Sequence, residues 1–188
     1  MKKALLCSLI FSIGISSNAI AHNIKLDQPL PAVTVSDKGE LILNKDEINY
    51  KPWKSTELVG KVRILQHIAG RRDVKAENQP LMDAIKTAHF NEKNYQTTNI
   101  VNADDAIFGT GFMVRSGVTK AKKANSRSQI VLDNNGSVKK AWDLKPKESL
   151  IVVLNKQGLV KFVQEGKLTN AQIQQIIHLV SDQLLLEK

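Results

Sequence analysis

The chain has a single cysteine, Cys7, and it lies in the first apolar stretch of the sequence. That stretch has the form of an export signal: Lys2 and Lys3 precede the run "ALLCSLIFSIGI", and Ala19 and Ala21 place small residues around a cleavage point. The expected mature chain begins at His22 and carries no thiol. It can form no disulfide, offer no thiolate to a metal and perform no thiol redox chemistry. Cys7 does not suit a lipid-acceptor role, because the apolar run follows it instead of preceding it. Long hydrophobic runs are the second absence. The signal segment is shorter than the roughly 20 apolar residues of a membrane span, and no later segment qualifies as one. The expected destination is the periplasm.

Aromatic residues are also scarce, at 5% of the chain, in a protein whose formal net charge is +9. Without Lys2 and Lys3, 25 basic side chains face 18 acidic ones, which leaves +7. The densest basic runs are Lys120, Lys122, Lys123 and Arg127, then Lys139, Lys140, Lys145 and Lys147, with only Trp142 interleaved. Single-strand binding needs stacking platforms, and duplex binders carry helix-turn-helix or finger patterns; neither is present. Nucleic acid is therefore not an expected partner, and the lysines are assigned to a solvated surface. Anionic lipid head groups and envelope polymers are the partners that simple attraction allows.

Residues 22–188 suit one domain. "PAVTVSDKGELIL" predicts two short strands, Ala32–Ser36 and Glu40–Leu43, around the turn Asp37-Lys38-Gly39, and "NYKPWKSTELVGK" predicts a loop. Val62–Ala69 has apolar side chains on both parities, the mark of a central strand covered on both faces. A helix follows, with Asp73 as its N-cap and Leu81, Ile85 and Ala88 on its apolar face. Tyr95–Val101 and "SQIVLD" predict further strands, and Gly111–Lys123 a helix. Val138, Ala141 and Trp142 favour a short helical turn over a hairpin at Asn135-Gly136. Leu150–Leu154 and Leu159–Val163 flank Lys156-Gln157-Gly158 as a hairpin. A terminal helix capped by Thr169 or Asn170 carries the stripe Ile173, Ile176, Ile177, Val180, Leu184.

This order gives an α/β, thioredoxin-like three-layer sandwich with a central mixed sheet and an N-terminal β-hairpin extension. A doubly wound flavodoxin-like sheet is the alternative, and the late hairpin argues against it. The blocks "GKVRILQHIAGR", "YQTTNIVNADDAIFGTGF", "SQIVLDNNG", "AWDL" and "VVLNKQGLVKF" resemble the YtfJ family of exported bacterial proteins with a thioredoxin-like fold, over roughly residues 30–185. The resemblance implies that the turn after Ala69 is the thioredoxin active-site turn, here "GRRDVKAEN" where two cysteines would stand. It also implies that the cis-proline position falls near Ser149, with Pro146 several residues early.

His67, Arg71, Arg72 and Asp73 are the candidate residues for holding a partner protein, a peptide or a small anionic ligand at this turn. Phe108, Phe112 and Trp142 are expected to add apolar surface to the same face. The competing reading is a non-thiol, hydrolase-like enzyme using His67 with Asp104 or Asp105. Those two aspartates are otherwise candidates for capping a helical turn or chelating a cation. His178 with Asp182, and His22 with His89, are two-ligand metal spacings that fall short of a site, and "FGTGF" lacks the third glycine of a dinucleotide fingerprint. No cofactor or metal is expected, and a binding module is favoured over an enzyme.

Overall fold

The computed structural model describes residues 22–186, so the expected signal peptide, 1–21, lies outside the described residues. Among these, seven strands form one sheet: β1 (Thr34–Asn44), β2 (Glu47–Lys54), β3 (Val62–Ala69), β4 (Tyr95–Asn102), β5 (Gln129–Asp133), β6 (Ser149–Leu154) and β7 (Val160–Glu165), in the order β2-β1-β5-β4-β3-β6-β7. Five α-helices and a 3-10 turn at Ser55–Leu58 complete it: α1 (Arg72–Glu77), α2 (Gln79–Ala88), α3 (Gly111–Ala124), α4 (Ser137–Trp142) and α5 (Asn170–Leu185). β3 pairs parallel with β4 and antiparallel with β6, and β4 pairs parallel with β5. The parallel strands therefore end together at one edge of the sheet.

The central position of β3 follows from its composition. Val62 and Ile64 pack with Leu81 of α2 and with Ile173, Ile176 and Val180 of α5. Leu65 faces the other way, into a cluster with Trp53, Leu58 and Trp142. Ile68, on the side of Ile64, meets Val101 and Val118 beneath α3. One side of the sheet is thus covered by α2, α3 and α5, and the other by α4 and the N-terminal segment. The terminal helix is fixed by a full capping box, in which the Thr169 hydroxyl accepts from the Gln172 N–H and the Gln172 side chain accepts from the Thr169 N–H.

Three expectations are corrected. Residues 49–54, expected as the first part of a loop, belong to β2, an edge strand antiparallel to β1 from Thr34↔Lys54 to Asn44↔Glu47. Its Pro52 is compatible with an edge position, and its alternation is hidden because Trp53 is its one fully buried side chain. The hairpin extension therefore consists of β1 and β2, joined at Asn44–Glu47, and Asp37-Lys38-Gly39 is an irregularity within β1. Finally, the helix expected from Asp73 to Ala88 is two helices broken at Asn78, just before Pro80, whose missing N–H cannot continue the ladder. The Asn78 side-chain amide donates to the Val74 carbonyl at 2.9 Å and closes the first segment.

Gly39 is the residue that permits the β1 irregularity. Its φ is +81°, and a Cβ there would sit 2.1 Å from the Lys51 carbonyl oxygen. Gly109 has a similar φ of +78° with nothing within 4 Å of the same position. Gly39→Ala is expected to lower unfolding free energy by well over the roughly 1–3 kcal/mol of a left-handed strain alone, and Gly109→Ala by about 1 kcal/mol. Chemical denaturation of the two variants measures the difference; equal losses would show that the Lys51 backbone yields.

Candidate functional site

The chain leaves β3 through a tightly fitted corner. The Gly70 N–H donates to the Asn102 carbonyl at 2.8 Å, and a Cβ on Gly70 would lie 3.0 Å from that oxygen and 3.1 Å from the Val114 side chain. The turn is thereby pressed between the end of β4 and the first half of α3. Arg71 follows in extended conformation as the residue before α1, with no side-chain cap. The helix begins at Arg72, so Asp73 is inside the first turn and does not cap it. Its carboxylate is exposed and lies 3.6 Å from the Arg71 guanidinium. Arg72 is exposed.

Facing this turn is the segment that leads into β6. The Ala69 N–H donates to the Glu148 carbonyl at 3.1 Å, and the Ser149 hydroxyl lies 3.4 Å from both the Asn78 side-chain oxygen and the Gly166 carbonyl. Between the two segments is an open cleft of 230 Å³, lined by Asp73, Val74 and Glu77 on one bank and Lys147, Glu148 and Gly166 on the other. Arg71, Arg72 and Asp73 are therefore brought together at an exposed edge.

His67 is not part of that edge. It projects to the α4 side of β3, is 2% exposed and leaves its Nε2 without a partner. Burial pushes its pKa down from 6.5 to about 4, opposed by the Asp105 carboxylate and reinforced by the Lys139 ammonium. A general base must reach the proton that it abstracts, and a sealed imidazole does not. Trp142 is likewise a core residue, 0% exposed, with its indole N–H donating to the Pro31 carbonyl at 2.8 Å. Phe108 and Phe112 do stand exposed, on the loop and helix end that flank the turn.

The polar cluster behind the turn is richer than its sequence signal. Asp105 accepts from the Lys139 ammonium at 2.6 Å, from the Asn102 amide at 3.0 Å and from the Lys147 N–H at 3.0 Å. Burial alone would raise its pKa, but the Lys139 hydrogen bond, the Lys147 N–H and the Lys139 charge hold it below the ordinary carboxylate range. Asp104 takes a second contact with Lys139 at 3.0 Å. The pair thus neither caps a helix nor stands free for a cation: it anchors α4 and the approach to β6. Lys139, expected on a solvated basic surface, is mostly covered. Burial would lower its pKa, yet the hydrogen bonds to Asp105 and Asp104 raise it. Lys122, from the other basic run, is buried and donates to the Ser126 and Ser128 carbonyls at 2.8 Å each. Fully buried Asp133 was also missed; its two oxygens accept from the Ser137 and Val138 N–H groups at the start of α4.

The two-ligand metal spacings do not close. His178, expected at the core or its boundary, is exposed on α5. His22 lies beside α4, next to Asn23, whose N–H donates to the Trp142 carbonyl, whereas His89 ends α2 across the sheet. Among the described residues no three His, Cys, Asp or Glu side chains group as a metal site.

His67 generates a pH prediction. Its folded pKa is depressed, so between 6.5 and about 4 the unfolded chain binds the proton and the folded chain does not. Stability is then complete above pH 6.5 and falls as the pH drops towards 4, by about 3 kcal/mol in all. His67→Leu, which removes a titrating group whose Nε2 has no partner, is expected to flatten that slope in urea titrations at several pH values. An unchanged slope would assign the acid sensitivity elsewhere.

Known proteins resemble this arrangement at two levels. The fold aligns with a putative protein disulfide isomerase from Bacteroides thetaiotaomicron at a TM-score of 0.56 and 15% identity, covering 86% of this chain and 93% of that one. It also aligns with a putative thiol:disulfide interchange protein DsbE from Chlorobium tepidum at 0.53 and 12%, covering 87% and 97%. At these identities the likeness establishes a thioredoxin-like fold and nothing further. In sequence, an uncharacterized protein of Haemophilus influenzae is 51% identical over 184 residues, 96% of this chain and 98% of its own. The uncharacterized protein YtfJ of Escherichia coli is 46% identical over 162 residues, 86% and 88%. Residues 24–183 match the family described as bacterial protein of unknown function, YtfJ_HI0045, and with nearly the whole folded unit inside that match, the chain belongs to the YtfJ family.

Proposed function

We propose that this YtfJ-family protein is exported to the periplasm and serves there as a redox-inactive binding module, holding a protein or peptide partner against the turn that follows β3. The carrying observation is the geometry of that turn: half-buried Arg71 and exposed Arg72 stand where the parallel strands end, next in the chain to a cleft that Asp73, Val74 and Glu77 line opposite the segment leading into β6, and the chain beyond residue 21 has no thiol. Sites on α/β sheets gather at this edge.

One distance favours a macromolecular partner over a small anion: Asp73, 3.6 Å from Arg71, already places a carboxylate where an anion would sit. An extended peptide segment lying across the cleft needs no enclosure, and the two arginines supply the side chains that commonly dominate such contacts. The enzyme alternative rested on His67, which the β3 pairing buries.

Crosslinking in intact cells, with the captured species identified, tests the proposal. Arg71→Ala/Arg72→Ala is expected to reduce capture about tenfold, as the loss of one arginine anchor worth 1–2 kcal/mol implies. Equal capture by the variant and the parent would remove this turn from the interface.

A further inference from the structure

Of the eight large apolar side chains exposed among the described residues, four fall within seven consecutive positions: Ile107, Phe108, Phe112 and Met113. Exposed apolar residues scattered singly need no explanation, whereas a cluster does. Phe108 is 103% exposed and Phe112 64%, so neither ring lines a cavity; both project outward. The loop that carries them is ordered by its own hydrogen bonds. The Thr110 N–H and hydroxyl both donate to the Ile107 carbonyl, at 2.9 and 2.6 Å, and Gly109 takes the left-handed conformation between them.

The helix that continues from this tip has charge of one sign only. α3 contains Arg115, Lys120, Lys122 and Lys123 and no acidic residue. Lys122 is spent inside the fold, but Arg115, Lys120 and Lys123 are exposed, and no salt bridge reaches them among the described residues. Phe112, Lys120 and Lys123 lie on the same solvent-facing side, since positions eight and eleven residues on return within a quarter turn of the first.

We infer that the 107–113 tip and the exposed face of α3 form a docking surface for an anionic phospholipid bilayer, with Phe108 and Phe112 entering the interfacial region and Arg115, Lys120 and Lys123 resting on the head groups. The charge decides the occupant: a projecting apolar tip joined to a flank of unpaired cations is complementary to an anionic surface with an apolar interior, which combines apolar burial with attraction to anionic lipids. Each cation near such a surface strengthens binding roughly fivefold, so three of them with two inserted rings give reversible attachment. This surface adjoins the Arg71–Arg72 turn, since Gly70 meets Val114 of α3, but it is built from different residues, so a failure of the vesicle test would leave the partner-binding reading untouched.

Co-sedimentation of residues 22–188, which contain all of the described core, with phosphatidylglycerol–phosphatidylcholine vesicles is the test. Binding is expected at low salt and absent with phosphatidylcholine alone. Phe108→Ser/Phe112→Ser and Lys120→Glu/Lys123→Glu are each expected to weaken it by roughly tenfold or more. Circular dichroism verifies that the variants fold, and a blue-shifted emission of Phe108→Trp on anionic vesicles reports entry of the tip directly. No vesicle binding, binding that ignores both double variants, or a tip that captures a protein while leaving vesicles alone would overturn the proposal.

Discussion

A strand covered on both faces has no solvent side on which to place polar groups, and β3 carries three of them. Arg63, Gln66 and His67 are all buried, so the neighbouring strands must satisfy what they can. Arg63 is the costliest, and it is answered most fully. Its guanidinium donates to the Leu58 carbonyl at 2.7 Å and to the side chains of Gln96, Thr98 and Gln129 at 2.8, 3.1 and 3.3 Å. Gln129 donates onward to Glu40, which pairs with Lys51 at the sheet edge. A polar thread thus runs from the central strand through β4 and β5 to the hairpin. Losing Gln96, Thr98 or Gln129 would leave a buried cation short of an acceptor, the situation in which ionic groups destabilise most.

The same constraint shapes the edge where the parallel strands end. There the strands finish in Asn102, Asp133 and, just beyond, Asp105, all buried and all hydrogen-bonded to backbone or to Lys139. These groups fix the loops after β4 and β5 and the approach to β6, so the surface above them is a rigid platform. The turn after β3 rests on that platform with its arginines outward. What a thiol-bearing relative of this fold would present at such a turn is reactivity; what this chain presents is charge on a fixed frame.

Elements with strong internal periodicity were legible in the sequence. β3, β6 and α5 announce themselves by continuous apolar runs or by a stripe with a capping pair, and these same elements position the turn. Legibility failed where the deciding interaction is distant. β2 was hidden because Lys51, Pro52 and Lys54 carry loop signals, and only pairing with β1 makes a strand of them. Asp73 looked like a cap because aspartate favours that position, but the cap is Arg71, two residues earlier, and the helix begins at Arg72. Lys139 and Asp105 are 34 positions apart, and no local pattern shows that a lysine from a basic run will neutralise an aspartate from a glycine-rich loop. His67 was correctly placed on the strand; its direction, towards α4 and away from the turn, follows from parity once the register is known.

The N-terminal segment has a consequence for the order in which the fold can be completed. Asn23 is tied to Trp142, Asp27 and Gln28 to Val160, Pro29 to Leu159, and Gly39 and Glu40 to Leu132 and Val131. Every one of these partners lies at least 90 positions further along the chain. The β1–β2 hairpin can pair locally, but its docking and that of the segment before it come late, because each of these contacts closes a very long loop whose entropy must be overcome before any burial is gained. A chain emerging from the ribosome cannot complete this end of the fold until residue 160 is through.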